Sequence, residues 1–175
     1  MLARTLSFIA MICLSACSAA ACWEGAAKPG ESPVETRRPV RGEDVRFTSG
    51  YGLRRHPILR LERMHNGVDW SAPHGTPVYA AGTGQVLVAK AQDAYGNTIL
   101  IDHGGGWHTF YSQLASFNVR EGDCVSADTL IGKVGSTGLS SGPHLHFEVR
   151  RDGQPLDPMV VQLKTRSPGR REGQQ

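Results

Sequence analysis

Short apolar stretches, separated by turns rich in glycine, run through most of the chain. Residues 85–91 alternate between apolar and polar side chains, and stretches of similar length occur at 97–103, 107–113 and 129–135. A period of two residues is typical of strands with one buried face. Apart from an apolar run near the N-terminus, no segment has the 3.6-residue period of an amphipathic helix. The pattern predicts an all-β fold, an antiparallel β-sandwich or barrel-like sheet, with few or no helices outside the N-terminal segment.

Composition divides the chain into four parts. Residues 1–17 have a basic start and an apolar run too short to span a bilayer, which is typical of a signal peptide. Residues 18–44 are low in hydrophobicity and contain scattered Pro and Gly, which predicts a flexible tether. We expect the folded domain over residues 45–163 and a disordered polar tail over residues 164–175.

The predicted signal segment ends in Leu-Ser-Ala-Cys at residues 14–17, which resembles a bacterial lipobox. In such a sequence the cysteine is lipidated and becomes the first residue of the mature protein. We therefore expect export and a lipid anchor at Cys17 on the periplasmic side of a bacterial membrane, with an ordinary cleaved signal as the alternative. Ser18 is not the aspartate of an inner-membrane retention signal, so the outer membrane is favoured.

The remaining cysteines and the charges limit other functions. No two cysteines are spaced as CxxC, so a cysteine zinc site is not expected. We also do not expect a bridge between Cys22 and Cys124, because a flexible tether gives no reason for the required geometry. The chain has 19 Lys and Arg against 16 Asp and Glu, without the concentrated basic stripe of a nucleic-acid-binding protein. Nucleic acid is therefore not expected as a partner, and the oligomeric state is unknown.

Two histidines lie two residues apart in the segment GPHLHFEV at 142–149. In a strand, His144 and His146 point to one face, whereas Leu145 and Phe147 point to the opposite, apolar face. Two adjacent imidazoles suit a metal site or acid–base chemistry. A pair of solvated strand histidines fits the same pattern.

A second polar pair, His65 and Asp69, lies upstream in the segment HNGVD. In an extended chain both side chains point to one face, and Gly67 between them lets the backbone approach a neighbouring group closely. By itself the pair also fits a surface turn. Together with a distant imidazole it makes a suitable zinc set, and three protein ligands leave a fourth position for water. Such a water becomes a nucleophile near neutral pH, because the cation lowers its pKa.

Seven motifs occur in the order and spacing of a known family. They are FTSGYGLRRHP at 47–57, HNGVD at 65–69, GTPVYAAGTGQV at 75–86, YGN at 95–97, IDHG at 101–104, GSTG at 135–138 and GPHLHFE at 142–148. Over about residues 45–160 the chain resembles the lysostaphin-type (LytM-like) zinc endopeptidases of the bacterial cell wall. The resemblance implies an antiparallel β core with a narrow groove, a Zn²⁺ ion, and cleavage of peptide cross-links in peptidoglycan.

The resemblance also implies roles for five residues. His65, Asp69 and His146 match the family's zinc ligands, and His144 matches a catalytic histidine that polarises the water or stabilises the tetrahedral intermediate. Gln113, in the segment YSQL, stands where the family usually has a second catalytic histidine. An amide can donate a hydrogen bond but cannot carry a proton near neutral pH, and losing a proton carrier typically costs about 10²–10⁴-fold in rate.

Several neighbouring residues have open or structural interpretations. His56 either lines the groove or belongs to a loop, His74 is expected to be exposed in a turn, and His103 to support the turn that follows it. By alternation His108 lies on the face opposite Gln113 and does not replace the missing imidazole. Trp107 and Tyr111 either wall the groove or pack in the core. Arg54 and Arg55 either pair with substrate carboxylates or are surface charges.

Two functions fit these observations. The first is an exported zinc metalloendopeptidase that hydrolyses peptide cross-links of peptidoglycan. The alternative is a catalytically weakened or inactive peptidoglycan-binding module that regulates other cell-wall hydrolases. The full ligand set favours the enzyme, because a protein without a use for metal has no reason to keep it, and function follows from the chemistry of a site rather than from a fold.

Overall fold

The computed structural model describes Cys22, Val34, residues 38–55, Ile58 and residues 60–165, with only the backbone of residues 162–165. The predicted signal segment with Cys17, most of the predicted tether, His56 and nearly all of the predicted tail lie outside the described residues. Within the described part, no helix has the length and apolar character needed to cross a membrane.

The described chain is built almost entirely from short strands. In chain order these are β1 (Arg46–Ser49), β2 (Gly52–Arg55), β3 (Glu62–His65), β4 (Val68–Ser71), β5 (Pro77–Tyr79), β6 (Gly84–Gln92), β7 (Gly96–Asp102), β8 (Trp107–Phe117), β9 (Cys124–Val125), β10 (Leu130–Val134), β11 (His144–Arg151) and β12 (Gln154–Leu156). A 3₁₀ turn, Asp93–Tyr95, joins β6 to β7, and one helix, α1 (Pro158–Thr165), lies against β11.

Ten of these strands form one antiparallel sheet. Its main order is β1-β4-β11-β8-β7-β6-β9, with β12 paired to β11 and β10 paired to both β5 and β8. The remaining two strands, β2 and β3, form a separate hairpin. This all-antiparallel architecture confirms the predicted fold class.

The core lies behind the central strands. Trp70 on β4, Phe147 on β11 and Tyr111 on β8 are fully buried, and the ring of Phe147 lies 6.0 Å from that of Trp70 and 5.2 Å from that of Tyr111. The hydroxyl of Tyr111 accepts a hydrogen bond from the backbone N–H of Ala81 at 2.8 Å. Trp107 is buried in the same core. Tyr111 and Trp107 are therefore packing residues and do not wall a groove.

A β-bulge in β8 reverses the alternation after Tyr111. Asn97 pairs with Leu114 and Ile99 with Tyr111, so β8 uses three residues where β7 uses two. Gln113 lies in the bulge with a φ of +66°. The extra residue turns the Gln113 side chain away from the core face of Tyr111, which strict alternation does not predict.

The bulge also changes the interpretation of His108. His108 pairs with Arg150, and Ser112 pairs with His146, so His108 lies on the His146 side of the sheet rather than opposite the site. The expectation from alternation was wrong because the chain contains the bulge. His108 is nevertheless near the start of β8, beside Asp102, and does not reach the position of Gln113.

A disulfide joins Cys22 to Cys124 at the start of β9, which corrects the expectation that these cysteines stay unpaired. Cys22 is buried, as are Val34 and Val40, and Val40 forms a β-bridge with Val78. The chain ahead of β1 is therefore attached to the domain at these described points. The prediction that Cys22 and Cys124 stay unpaired was wrong because it relied on the low overall hydrophobicity of this segment. A few apolar side chains in the segment nevertheless pack against the domain.

Candidate metal centre and substrate groove

The register of β4 and β11 brings two distant polar residues together. His146 on β11 pairs directly with Asp69 on β4, although they are 77 positions apart in sequence. Directly opposed residues of antiparallel strands point to the same face. Leu145 and Phe147 point to the other face and are fully buried in the core. Burial of these neighbours holds the register, because a slip by one residue would place His146 in the core.

His65 reaches the same point from the hairpin rather than from the main sheet. It is the last residue of β3, and the chain turns through Asn66 and Gly67 before Asp69 on β4. A Cβ on Gly67 would overlap the carbonyl oxygen of Phe147, so glycine is needed for this close approach to β11. His65 and Asp69 converge because of this turn and not because they share one extended strand.

Three potential ligand atoms from these residues lie close together. Nδ1 of His146 lies 2.8 Å from Oδ1 of Asp69 and 3.0 Å from Nε2 of His65, and the last distance, from His65 Nε2 to Asp69 Oδ1, is 3.2 Å. All three residues are buried. They form a His–Asp–His group that could hold a metal ion, as predicted from the two sequence motifs.

The partners on the far side of each ring decide which nitrogen faces the centre with a lone pair. The carbonyl oxygen of Gly50 can only accept, so His65 donates from Nδ1 at 2.7 Å and keeps a lone pair on Nε2. Glu148 accepts from Nε2 of His146 at 2.9 Å, which leaves the lone pair of the neutral ring on Nδ1. While both rings are neutral, two such lone pairs and the Asp69 carboxylate cannot satisfy one another by hydrogen bonds. A cation satisfies all three, so the residues fit a metal.

A second layer of charge supports His146. The Glu148 carboxylate is fully buried and also accepts from the Arg150 guanidinium at 2.7 Å. Arg150 lies 4.6 Å above the ring of Phe110. A buried carboxylate would be costly alone, but here it is paired on both sides. Glu148 therefore fixes the orientation and the tautomer of His146.

The pKa shifts in the centre show its attraction for positive charge. Burial raises the pKa of Asp69, but hydrogen bonds with His146 and His65 outweigh burial and hold it well below its usual range. Burial lowers the pKa of His146, but Asp69 and Glu148 outweigh it, and the net shift is upward. A proton and a metal ion thus compete for the same lone pair of His146.

His144 lies beside this centre but is not part of it. Its Nδ1 donates to the carbonyl oxygen of Gly142 at 2.9 Å, with Ser140 Oγ at 3.1 Å. The ring therefore keeps a lone pair on Nε2, which has no hydrogen-bond partner in the described part of the chain. This arrangement separates His144 from the metal group and leaves it able to accept a proton.

An open groove passes on both sides of the centre, and its two parts share Arg54, Asp69, Leu139 and His144. We call the first part the arginine lobe; its other lining residues are Arg63, Met64, His65, Asn66, Ala94, Tyr95, Gln113 and His146. We call the second part the hydroxyl lobe; its other lining residues are Thr48, Ser49, Ile58, Ser71, Ser140, Ser141, Gly142 and Pro143. An extended chain can therefore cross the centre with residues on either side.

Gln113 lines the groove, but its amide is already used. Its Nε2 donates to the carbonyl oxygen of Ala94 at 3.3 Å, and its Oε1 accepts from the backbone N–H of Gly138 at 2.7 Å. The Leu139 N–H also donates to Ala94 at 2.8 Å. Gln113 thus joins two loops that line the groove. The two hydrogen bonds also assign the amide nitrogen and oxygen, because a carbonyl must accept and an N–H must donate.

Sequence reasoning missed the roles of two residues in this region. The Tyr95 ring lies 5.9 Å from that of His146 and 5.1 Å from that of Phe110, at the wall of the arginine lobe. Burial raises the pKa of its hydroxyl. No role for Glu148 was predicted from the sequence. Its spacing of two residues from His146 was the available signal, because it places both side chains on one face.

The remaining histidines have structural roles or none in the site. His103 is buried, with Nδ1 2.8 Å from the carbonyl oxygen of Thr83 and Nε2 2.7 Å from Thr109 Oγ1, and burial lowers its pKa to about 4. His74 is exposed, as expected.

The fold and the site together define a β-sheet protein with a candidate metal centre in an open groove. The family model described as Peptidase family M23 matches residues 63–158. The chain belongs to this family, which confirms the resemblance to lysostaphin-type peptidases.

Two curated relatives have peptidoglycan-directed names. The chain is 46% identical over 121 residues to the DD-carboxypeptidase/endopeptidase Mpg of Neisseria meningitidis. The aligned residues make up 69% of this chain and 28% of the relative. The chain is 38% identical over 128 residues to the peptidoglycan DD-endopeptidase ShyB of Vibrio cholerae, which covers 73% of this chain and 30% of that protein. The chain therefore spans less than a third of the length of these relatives.

Two solved structures share the fold. A zinc-containing peptidase from Vibrio cholerae superposes with a TM-score of 0.68 at 36% identity, covering 74% of this chain and 40% of that one. The catalytic domain of lysostaphin from Staphylococcus simulans gives a TM-score of 0.62 at 35% identity, covering 67% of this chain and 92% of that domain.

We predict that Glu148→Gln lowers metal affinity by roughly 10–100-fold, the usual cost of losing a partner that orients a ligand histidine. The amide keeps the shape of the side chain but not its charge, so His146 loses basicity while the sheet stays intact. Zinc affinity can be measured by competition with a chromogenic chelator. Glu43→Gln, at an exposed position, serves as the control and should bind as the native chain does. Equal affinity in both variants would contradict the role of Glu148.

Proposed function

We propose that this chain is a zinc metalloendopeptidase that hydrolyses peptide cross-links of bacterial peptidoglycan. The observation that carries the proposal is the convergence of three ligand atoms, from His65, Asp69 and His146, beside His144 in an open groove. Membership of Peptidase family M23 and relatives named DD-endopeptidases support it. Because the chain covers only part of those relatives, the activity and substrate are proposed for this chain on its own residues.

The donor set supports zinc as the metal. Two imidazole nitrogens and one carboxylate oxygen are common zinc ligands, and a site with three protein ligands is typical of catalytic zinc. When bound, Zn²⁺ lowers the pKa of water and polarises carbonyl groups. Arg54 donates to Oδ2 of Asp69 at 3.2 Å, which leaves Oδ1 directed at the two imidazoles.

His144 supplies the proton transfer in the proposed reaction. With its proton held on Nδ1 by Gly142, Nε2 can accept a proton from the attacking water and later give it to the leaving amine. The two lobes bind the peptide on either side of the scissile bond. The buried core behind β11 keeps His144 and His146 on one rigid strand, which fixes their relative position.

We predict that the native chain releases soluble fragments from purified peptidoglycan and that His144→Ala reduces the rate by about 10²–10⁴-fold, the usual contribution of a general base. The variant should still bind zinc, because His144 is not in the ligand group. His74→Ala removes an exposed histidine and should keep the native rate. If the zinc-loaded native chain releases no fragments, with or without a chelator, the endopeptidase proposal is refuted.

The alternative is a peptidoglycan-binding module that regulates other hydrolases. The observation that favours it is Gln113, which cannot carry a proton at the place where a second histidine is expected. Its two backbone hydrogen bonds argue for a different interpretation, in which Gln113 holds the groove walls together and His144 alone carries the proton.

Replacement of Gln113 by histidine separates these two functions. If His144 alone carries the proton, the rate of Gln113→His should exceed the native rate by less than about tenfold. The variant adds an imidazole, but it also removes the amide that joins the two loops. If the chain is a regulatory module, the native protein binds zinc without lysis, and Gln113→His raises activity by about 10²-fold or more. Gln92→His, on the strand before the Asp93–Tyr95 turn, controls for the added histidine.

We further propose that the protein is exported and anchored by a lipid at Cys17. The disulfide between Cys22 and Cys124 supports export, because such bonds persist in oxidising compartments such as the periplasm. Cys17 lies only five positions before the bridged Cys22. An extended segment of that length spans at most about 18 Å. A lipid anchor would therefore hold the domain close to the membrane, with the outer membrane favoured.

We predict that labelled fatty acid is incorporated into the full chain expressed in a Gram-negative host and is absent from Cys17→Ala. Cys13→Ala changes a cysteine four residues earlier and should retain the label. Label in the Cys17→Ala variant would place the lipid on another residue, and absence of label from the native chain would indicate simple secretion. Either result would refute an anchor at Cys17.

A further inference from the structure

The β2–β3 hairpin presents two arginines to the groove. Arg54 pairs directly with Arg63 across the hairpin, and both line the arginine lobe. The adjacent Arg55 pairs with Glu62 and lines neither lobe. Side chains alternate along a strand, so Arg55 lies on the opposite face of the hairpin. The sequence left open which of Arg54 and Arg55 faces a substrate, and the register assigns Arg54.

Only one of the paired arginines has an acidic partner among the described residues. Like charges directly opposite each other on antiparallel strands are unfavourable. Arg54 is compensated by its ion pair with Asp69, but its Nε is buried without a hydrogen-bond partner among the described residues. Arg63 is exposed, and its guanidinium forms no hydrogen bond or ion pair within the described chain. The hairpin therefore retains unused donors and a charge repulsion that an anion would relieve.

The two lobes differ in charge. Among the described residues, the hydroxyl lobe has no charged side chain other than Arg54 and Asp69, which both lobes share. Its lining includes five hydroxyl-bearing residues, Thr48, Ser49, Ser71, Ser140 and Ser141. The arginine lobe adds the charge of Arg63, and no carboxylate lines it except Asp69 of the centre. The groove is thus cationic on one side of the centre and neutral on the other.

We propose that Arg63, supported by Arg54, forms a carboxylate-binding subsite that selects peptides with a free carboxylate on the side held by the arginine lobe. The guanidinium fork matches a carboxylate in geometry as well as charge. Arg63 precedes His65 by two residues on the same strand face, a separation of about 7 Å. The carboxylate therefore lies within about two residues of the bond at the centre. The subsite rests on the proposed endopeptidase function and defines its substrate class.

Two cross-linked muropeptide dimers test the subsite. One keeps its free carboxylates, and the other carries primary amides at the same positions. We expect the native chain to prefer the carboxylate dimer by about tenfold or more in kcat/KM, as charge-assisted hydrogen bonds typically provide. Arg63→Gln should lose this preference and cleave the two dimers with equal kcat/KM, and Arg63→Glu should reverse it.

Arg55→Gln is the matched control, because it removes the same charge from the opposite face of the hairpin. It should keep the native preference. Equal kcat/KM of the native chain for both dimers would overturn the subsite. An equal loss of kcat/KM on both dimers in Arg63→Gln would also overturn it, since that result indicates that Arg63 stabilises the hairpin and does not recognise a carboxylate.

Binding of the same dimers separates failure of the subsite from failure of the catalytic proposal. In calorimetry, His144→Ala should bind the carboxylate dimer at least about tenfold more tightly than the amide dimer. Adding Arg63→Gln to this variant should remove the difference. This result would uphold the subsite even if the native chain cleaved neither dimer. Equal affinity for the two dimers, or no binding of either, would overturn it.

Discussion

The site depends on one constraint, the antiparallel register that sets Asp69 opposite His146. Burial of Leu145 and Phe147 on the other face maintains this register, because a slip of one residue would exchange the buried and polar faces of the strand. The hairpin then needs only a short turn through Gly67 to bring His65 to the same point. Hydrophobic packing thus brings together three groups from distant parts of the sequence.

Charge around the centre is arranged in layers. Two imidazoles and a carboxylate attract a cation, Glu148 supports one imidazole from behind, and Arg150 neutralises Glu148. Arg54 forms an ion pair with Asp69 in the same way. Each buried charge therefore has a partner, which lowers the cost of burying it. The result is a rigid set of donors whose tautomers are set before any ligand arrives.

The bulge at Gln113 shows how the fold and the chemistry are connected. A non-glycine residue at φ +66° is strained, and the strain is maintained by bonds from its side chain to Ala94 and Gly138. These bonds join loops on either side of the groove. The amide therefore has a positional role that a residue type alone does not reveal, and His144 is left as the proton carrier in the proposed reaction.

The sequence by itself determined the all-β class, the two motifs of the metal group, and the family, because these depend on local alternation and on short, specific spacings. The tertiary structure decided three other features. It placed Gln113 in the groove through a bulge, assigned Arg54 rather than Arg55 to the groove through the hairpin register, and joined Cys22 to Cys124. A bulge, a register and a long-range covalent bond depend on packing between segments distant in sequence, and local patterns carry no record of that packing.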